Sequence, residues 1–411
     1  MKAGARAAAA DAQARLSALL VDSGVDGLLV VAESALDSDL APFVGAAHLG
    51  EAFLLFPAQG PARLGFLTEM EREEAASTGL ELLTPSSLGI PRLRKLTDEG
   101  GEFWYKLLSA AFAVLGSSPG RWALAGHPAA GSIVEACSRL AAEGWQWVGG
   151  GEILRLWRKF KPLDWLPRIE EPAAGVAAAM RGVAAMLAAA EERAGDLILG
   201  GEPLSIARLR AAVRLELAGR GLSEPHGNIL AAGRAAGVPH TQGDSGHVLR
   251  AGEPLVVDLY PRGEIFADCT RTLCVGAPSE AFRDAYEAVL AALTEAHERC
   301  RPGVRGWELQ ASACDLFEAR GYATPRSDPK TVTGYVHGIG HGVGYELHEY
   351  PSFRQHAGVE GLLEVGDLLT LEPGLYDPAR GYGVRLEDMC FLGPDGLVNL
   401  TPLPYDWDPR A

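Results

Sequence analysis

Four acidic residues stand in apolar surroundings, where a carboxylate is costly. Asp258 follows Val256 and Val257 in PLVVDLYPRGEIFADCTRTLCVG (254–276), and Asp268 lies ten residues further on. Glu372 follows Leu368, Leu369 and Leu371 in GDLLTLEPGLY (366–376), and Glu387 follows Leu386 in GYGVRLEDMCFLG (381–393). The stretch HGIGHGVGYELHEYP (337–351) adds His337, His341 and His348, three of the ten histidines. Buried carboxylates are normally answered by cations or metal. Singly, each of these acids reads as a salt-bridge partner. Together, two aspartates, two glutamates and a histidine suit a pair of divalent ions, and mixed carboxylate and imidazole donors favour Mn, Co, Fe or Zn over Ca. Such a pair can hold a hydroxide and polarise a carbonyl oxygen.

The elements that carry these residues follow from local pattern. Alternation in 254–276 predicts two strands joined at PRGE. A turn about Gly263 sets Asp258 and Asp268 opposite each other, about 5.5 Å apart at Cα, where like charges need neutralising. In 337–347, glycines at 338, 340, 342 and 344 disfavour a helix by roughly 0.5–1 kcal/mol each. A period of two puts His337, Ile339, His341, Val343, Tyr345 and Leu347 on one strand face. The bare glycine face opposite suits close approach of another backbone or a ligand. Neither a G-x-G-x-x-G loop nor an H-E-x-x-H helix fits the stretch. A structural glycine-rich strand with incidental histidines uses the same residues.

The rest of the chain reads as α/β at first. A helix over about 11–22 precedes strands at 28–31, 52–57 and 62–67, with helices at 108–116 and 131–142. The charged, proline-bearing segment 158–172 marks a boundary. It gives an N-terminal domain 1–160, a linker 161–172 and a C-terminal domain 173–411. The latter shows helix, helix, strand, strand twice: helices over 173–199 and 205–221, then over 279–300 and 305–321, each pair beside strands. The chain has 411 residues, 47% hydrophobic and 22% charged, an ordinary globular balance. A net charge of −16 disfavours nucleic acid and anionic membrane as partners. No run of eighteen apolar residues predicts a membrane span. Asp11 and Arg15 interrupt any signal-like apolar region. The six cysteines are scattered without C-x-x-C, as expected of reduced thiols in the cytoplasm.

DLYPRGEIFADCTRT, HGIGHGVGYELHEYP, LLTLEPGLY and GVRLEDM, in that order, resemble the M24 "pita-bread" metallopeptidases: methionine aminopeptidase, aminopeptidase P, prolidase and creatinase. The resemblance covers about 170–405. More weakly, RLSALLVDSGVDGLLVV is similar to the opening of the N-terminal domain in the prolidase, aminopeptidase P and creatinase branch. It implies an α+β chain: a C-terminal pita-bread fold behind an N-terminal α/β creatinase-like domain. It implies two divalent ions, manganese first, with cobalt or zinc as alternatives. Their ligands by position are Asp258, Asp268, His341, Glu372 and Glu387, with Asp268 and Glu387 bridging, Asp258 on one ion, and His341 and Glu372 on the other. His240, His337, His348 and Arg385 match positions near the substrate. His337 and His348 are expected to bracket it, and the glycines to let its backbone lie close to the metals. The implied activity is hydrolysis of Xaa-Pro bonds in di- or oligopeptides by a metal-bridging hydroxide, as a dipeptidase first and an aminopeptidase second. A glutamate ligand or a histidine passes the proton. A homodimer is expected.

Two departures stand out. The family has D-x-G at its first aspartate and eleven residues to the second, whereas Asp258 is followed by Leu259 and Tyr260 and the spacing is ten. PLDWLPRIEEPAAG also replaces the family's short lead into the first helix. Rival readings are a metal-free creatinase-like amidinohydrolase and a non-catalytic binding protein on the same fold. The full ligand set counts against both.

Overall fold

The computed structural model describes residues 2–97 and 100–411, the side chains from residue 11 on. It falls into two compact units, Met1–Arg158 and Lys159–Ala411. In the first, β1 (Gly27–Ala32), β2 (Ala52–Pro57), β3 (Arg63–Phe66), β4 (Glu81–Leu83), β5 (Arg121–Ala125) and β6 (Gln146–Gly149) form one sheet ordered β4-β3-β2-β1-β5-β6. Every residue of β1 is buried, because helices cover both faces of the sheet. Leu28 and Val30 enter a core with Leu16 and Leu20 of the helix Lys2–Asp22, while Leu29 and Val31 meet Leu107 and Phe112 of the helix Gly101–Leu115. Burial on both faces explains the unbroken apolar run GLLVVA.

In the second unit, residues 161–172 hold a single 3₁₀ turn, Leu163–Trp165, and then begin the helix Leu166–Ala188. Pro167 lies in its first turn, where a missing N–H costs nothing. That helix ends earlier than the alanine pattern predicts. β7 (Glu191–Arg193) and β8 (Asp196–Leu199) form a hairpin, joined by β9 (Glu202–Pro203). Ala194 and Gly195 turn it with φ of 53° and 88°, the paired positive values a two-residue hairpin needs. The helix Ile206–Gly219 follows, then a sheet of β10 (Ile229–Ala232), β11 (Leu255–Leu259) and β12 (Cys269–Leu273). After the helices Glu280–Arg299 and Gly306–Ala319 come β13 (Leu368–Leu371), β14 (Gly374–Asp377), β15 (Tyr382–Arg385), β16 (Asp388–Gly393) and β17 (Gly396–Asn399). β16 lies between β13 and β17, and β14 pairs with β15. Phe282, Leu293 and Phe317 of the helix pair share a core with Leu369, Leu371 and Val384. No described helix is long and apolar enough to cross a membrane.

Candidate metal centre

The strands of the second unit bring the acids together, with a different register from the one the sequence suggests. β11 and β12 pair Asp258 with Thr270 and Leu259 with Cys269. The ladder continues through Arg262 and Phe266, so the turn centres on Glu264, not Gly263. Asp258 and Asp268 are therefore diagonal neighbours on one strand face rather than directly opposed. A residue taken from the loop leaves the pleat, and hence the shared face, intact. β12 is stitched to the C-terminal strands: the Glu387 amide donates to the Thr270 carbonyl at 3.0 Å, and the Arg385 amide donates to Thr272 Oγ1 at 2.9 Å.

The glycine stretch is not a regular strand. Residues 339–343 run beside β13: the Glu372 amide donates to Ile339, the Thr370 amide to His341, and the Val343 amide to Leu368. The chain then turns and returns at the Gly342–Glu349 bridge. Two of the glycines, Gly340 and Gly342, are taken up by the protein's own backbone. A Cβ on Gly340 would strike the Thr370 carbonyl, and one on Gly342 the backbone at Tyr350. Gly344 lies against the Glu349 side chain, while Gly338 is exposed, so of the face that the period of two suggested only Gly338 is open.

Asp268, His341 and Glu387 offer ligand atoms all within 4.8 Å of one another. His341 Nε2 lies 3.7 Å from Asp268 Oδ2 and 3.6 Å from Glu372 Oε1. His341 Nδ1 is 3.0 Å from the Gly342 carbonyl. A carbonyl only accepts, so Nδ1 carries the hydrogen and the Nε2 lone pair faces the acids, the usual arrangement of a ligating histidine. Burial pushes the His341 pKa down to about 3, which keeps the ring neutral. Burial, then the charges of Glu387, Asp258 and Glu372, hold Asp268 well above the ordinary carboxylate range. Burial and Glu387 do the same to Glu372. Glu387 rises to about 7, through burial and then Asp258.

Arg385 answers only part of this charge. Its Nη2 donates to Asp258 Oδ2, its Nη1 to the Tyr376 hydroxyl at 2.7 Å, and its Nε to Thr270 Oγ1 at 3.2 Å. Thr270 Oγ1 in turn donates to Glu387 Oε2 at 2.8 Å. Asp258 Oδ1 and Asp268 Oδ1 are buried and accept no hydrogen bond from the described residues. Four clustered carboxylates with one guanidinium and two orphaned oxygens fit a cationic occupant.

The remaining expected residues differ in their surroundings. His337 donates from Nδ1 to the Gly338 carbonyl at 2.7 Å, and its Nε2 is 2.9 Å from the Tyr376 hydroxyl. Both ring nitrogens are thus engaged. Tyr376, which the sequence reading passed over, joins His337 to Arg385; its place in LLTLEPGLY was the available signal. His348 is exposed, with its ring edge-on to His341 at 4.3 Å. His240 is also exposed, and its charge lowers the pKa of His348 after burial. His226, not anticipated, acts on His348 in the same way.

A second acid–histidine group lies in the first unit: Asp37, Asp39 and His127. Its carboxylate oxygens are all answered. Asp37 accepts from the amides of Asp39 and His127, and Asp39 from the Gly126 amide and Arg158 Nη1.

Residues 174–393 match the sequence model of Metallopeptidase family M24, and the chain belongs to that family. It is 36% identical over 177 residues to the Xaa-Pro dipeptidase of Pyrococcus furiosus, covering 42% of this chain and 46% of that protein. Against the Xaa-Pro dipeptidase of Lactobacillus helveticus it is 33% identical over 186 residues, 45% and 47% of the two chains. These alignments span about half the length of the relatives matched. The prolidase structure from Pyrococcus horikoshii OT3 superposes with a TM-score of 0.74 at 23% identity, over 96% of this chain and 99% of that one. The dipeptidase PepE structure from Mycobacterium ulcerans gives 0.73 at 24%, over 97% and 96%. The fold is the α+β pita-bread architecture behind an α/β N-terminal unit.

Proposed function

We propose that this chain is a metal-dependent peptidase that hydrolyses Xaa-Pro bonds, acting on dipeptides in preference to longer peptides. The observation that carries the reading is the pair of orphaned oxygens, Asp258 Oδ1 and Asp268 Oδ1, in an acid cluster beside the neutral His341. Asp258, Asp268, His341, Glu372 and Glu387 would hold two divalent ions, with Asp268 and Glu387 shared; manganese is the first choice, cobalt or zinc the alternatives. Bound divalent ions supply Lewis acidity toward a carbonyl oxygen and make water acidic enough to attack at neutral pH.

The chain's own residues do the rest. His348, exposed beside His341, faces the carbonyl oxygen of the scissile bond and donates to it as charge develops. Glu372, exposed enough to be reached, takes the proton of the attacking water and passes it to the proline nitrogen. His240 stands at the substrate side of His348. Arg385 and Tyr376 fix Asp258 and His337, so His337 acts as a wall and not as a proton carrier. An Xaa-Pro bond has no N–H and a fixed φ, so a site without an acceptor at that point selects it. The names of the relatives support this substrate class. We place the enzyme in the cytoplasm and expect a homodimer, which sedimentation would test.

The deciding experiment strips the metal, restores Mn, Co or Zn, and measures Ala-Pro, Ala-Pro-Ala and Ala-Ala. Ala-Pro should be cleaved about tenfold or more faster than Ala-Ala, a step of only ~1.4 kcal/mol in transition-state binding. Equal rates would remove the proline assignment, and faster cleavage of Ala-Pro-Ala would make it an aminopeptidase.

A further inference from the structure

Lys161 and Glu349 form an ion pair from which water is excluded: their side chains are 1% and 0% exposed. Charge buried this deeply is weak support for stability, because desolvation offsets the attraction. The pair's surroundings suggest another use. The Glu349 amide donates to the Gly342 carbonyl at 2.8 Å and the Gly342 amide to Pro351 at 3.0 Å, which closes the loop 343–348. The Glu349 carboxylate then fills the loop from inside. Its Oε2 accepts the Glu346 amide at 3.3 Å, and its Oε1 accepts from Lys161 Nζ. A side chain at position 344 would collide with both Glu349 Oε1 and Lys161 Cε, so the loop is moulded on the ion pair. Lys161 is itself held, its amide donating to the Gly366 carbonyl at 2.8 Å. What the loop delivers is the next residue back, His348, edge-on to His341 at 4.3 Å. The Gly344 carbonyl also accepts the Phe266 amide at 2.7 Å, two residues before Asp268.

We propose that Lys161 is a positioning residue: through its buried pair with Glu349 it sets the loop that places His348 over the metal centre. The inference rests on the proposed role of His348. Lys161 touches neither substrate nor reacting atoms. It acts by fixing the Glu349 carboxylate, so that the Glu346 amide and the turn at Gly344 have one arrangement.

The test separates placement from stability. Lys161→Met alone leaves a buried carboxylate without its cation and confounds the reading with unfolding. The double variant Lys161→Met/Glu349→Leu removes both charges and keeps apolar volume. Histidine-labelled protein gives one ring signal per histidine, and the signal lost in His348→Gln identifies His348. In the zinc-loaded double variant the His348 signal should shift or broaden relative to zinc-loaded wild type while those of His48 and His127 stay in place. Its kcat on Ala-Pro should fall about 10²-fold, the cost of misplacing a reacting group by about 1 Å, with KM, metal content and thermal midpoint close to wild type. An unmoved His348 signal, an unchanged kcat, or a double variant that fails to fold where wild type folds would each overturn the proposal. The spectrum needs no turnover, so a wild-type protein inactive on Ala-Pro would sink the peptidase reading and leave this test standing.

Discussion

Two groups of acids and histidine lie in this chain, one in each unit, and they are handled in opposite ways. At Asp37, Asp39 and His127 the carboxylates take three backbone amides and the Arg158 guanidinium, donors that come from the same unit. At Asp258, Asp268, Glu372 and Glu387 the Arg385 guanidinium bonds Asp258 alone, and among the described residues nothing donates to two of the buried oxygens. The first group's oxygens are all answered from within its unit; the second leaves acceptors that added positive charge could answer. Both groups set a histidine beside carboxylates, so that juxtaposition alone does not mark a metal site. What marks it is the balance of donors against buried oxygens.

The largest expected effect comes from Glu387, which sits between β12 and the rest of the cluster. Glu387→Gln should abolish turnover and lower metal content while circular dichroism stays that of wild type. Near-normal activity would make Glu387 a buried ion-pair partner, like Asp39. His348→Ala should cost about 10²–10⁴-fold in rate, the range for a transition-state or proton-transfer contact. Its metal content should hold, and a fall would place His348 among the ligands.

Asp39→Asn removes one charge of a buried ion pair with Arg158, so it should destabilise in denaturant titration by up to about 3–5 kcal/mol. Metal content should not change. A loss of bound metal there would show that the Asp37 group also holds an ion.

A smaller effect concerns the stripped protein. The Glu387 pKa in the fold is raised from 4.5 to about 7, so the folded state keeps a proton that the unfolded chain has released. Stability from this group is full below 4.5 and is lost as pH rises toward 7. The thermal midpoint of chelated protein should therefore fall across that window, less steeply in Glu387→Gln, and metal loading should flatten it. A midpoint that rises through the window in chelated wild type alone would contradict the cluster's charge balance.

Much of this centre was legible in the sequence because strands preserve order and parity. Each acid stands in an apolar run: Asp258 lies within β11, and Asp268, Glu372 and Glu387 flank the buried strands β12, β13 and β16. What was not legible depends on partners far along the chain. The hairpin turn moved from Gly263 to Glu264 because its register is set by β10 and by β15 as well as by its own loop. Gly340 and Gly342 looked like room for a substrate, but Thr370 and Tyr350 occupy that room, and no local pattern announces a neighbour packed from outside the stretch. Lys161 lies 188 residues from Glu349, and His337 lost its free nitrogen to a tyrosine that local pattern did not single out.

The second group, unlike the first, should take up divalent ions. Elemental analysis of protein stripped, loaded with manganese and freed of excess should give about two ions per chain, as five ligands with two shared carboxylates imply. A value near zero, with Ala-Pro hydrolysis intact, would contradict it.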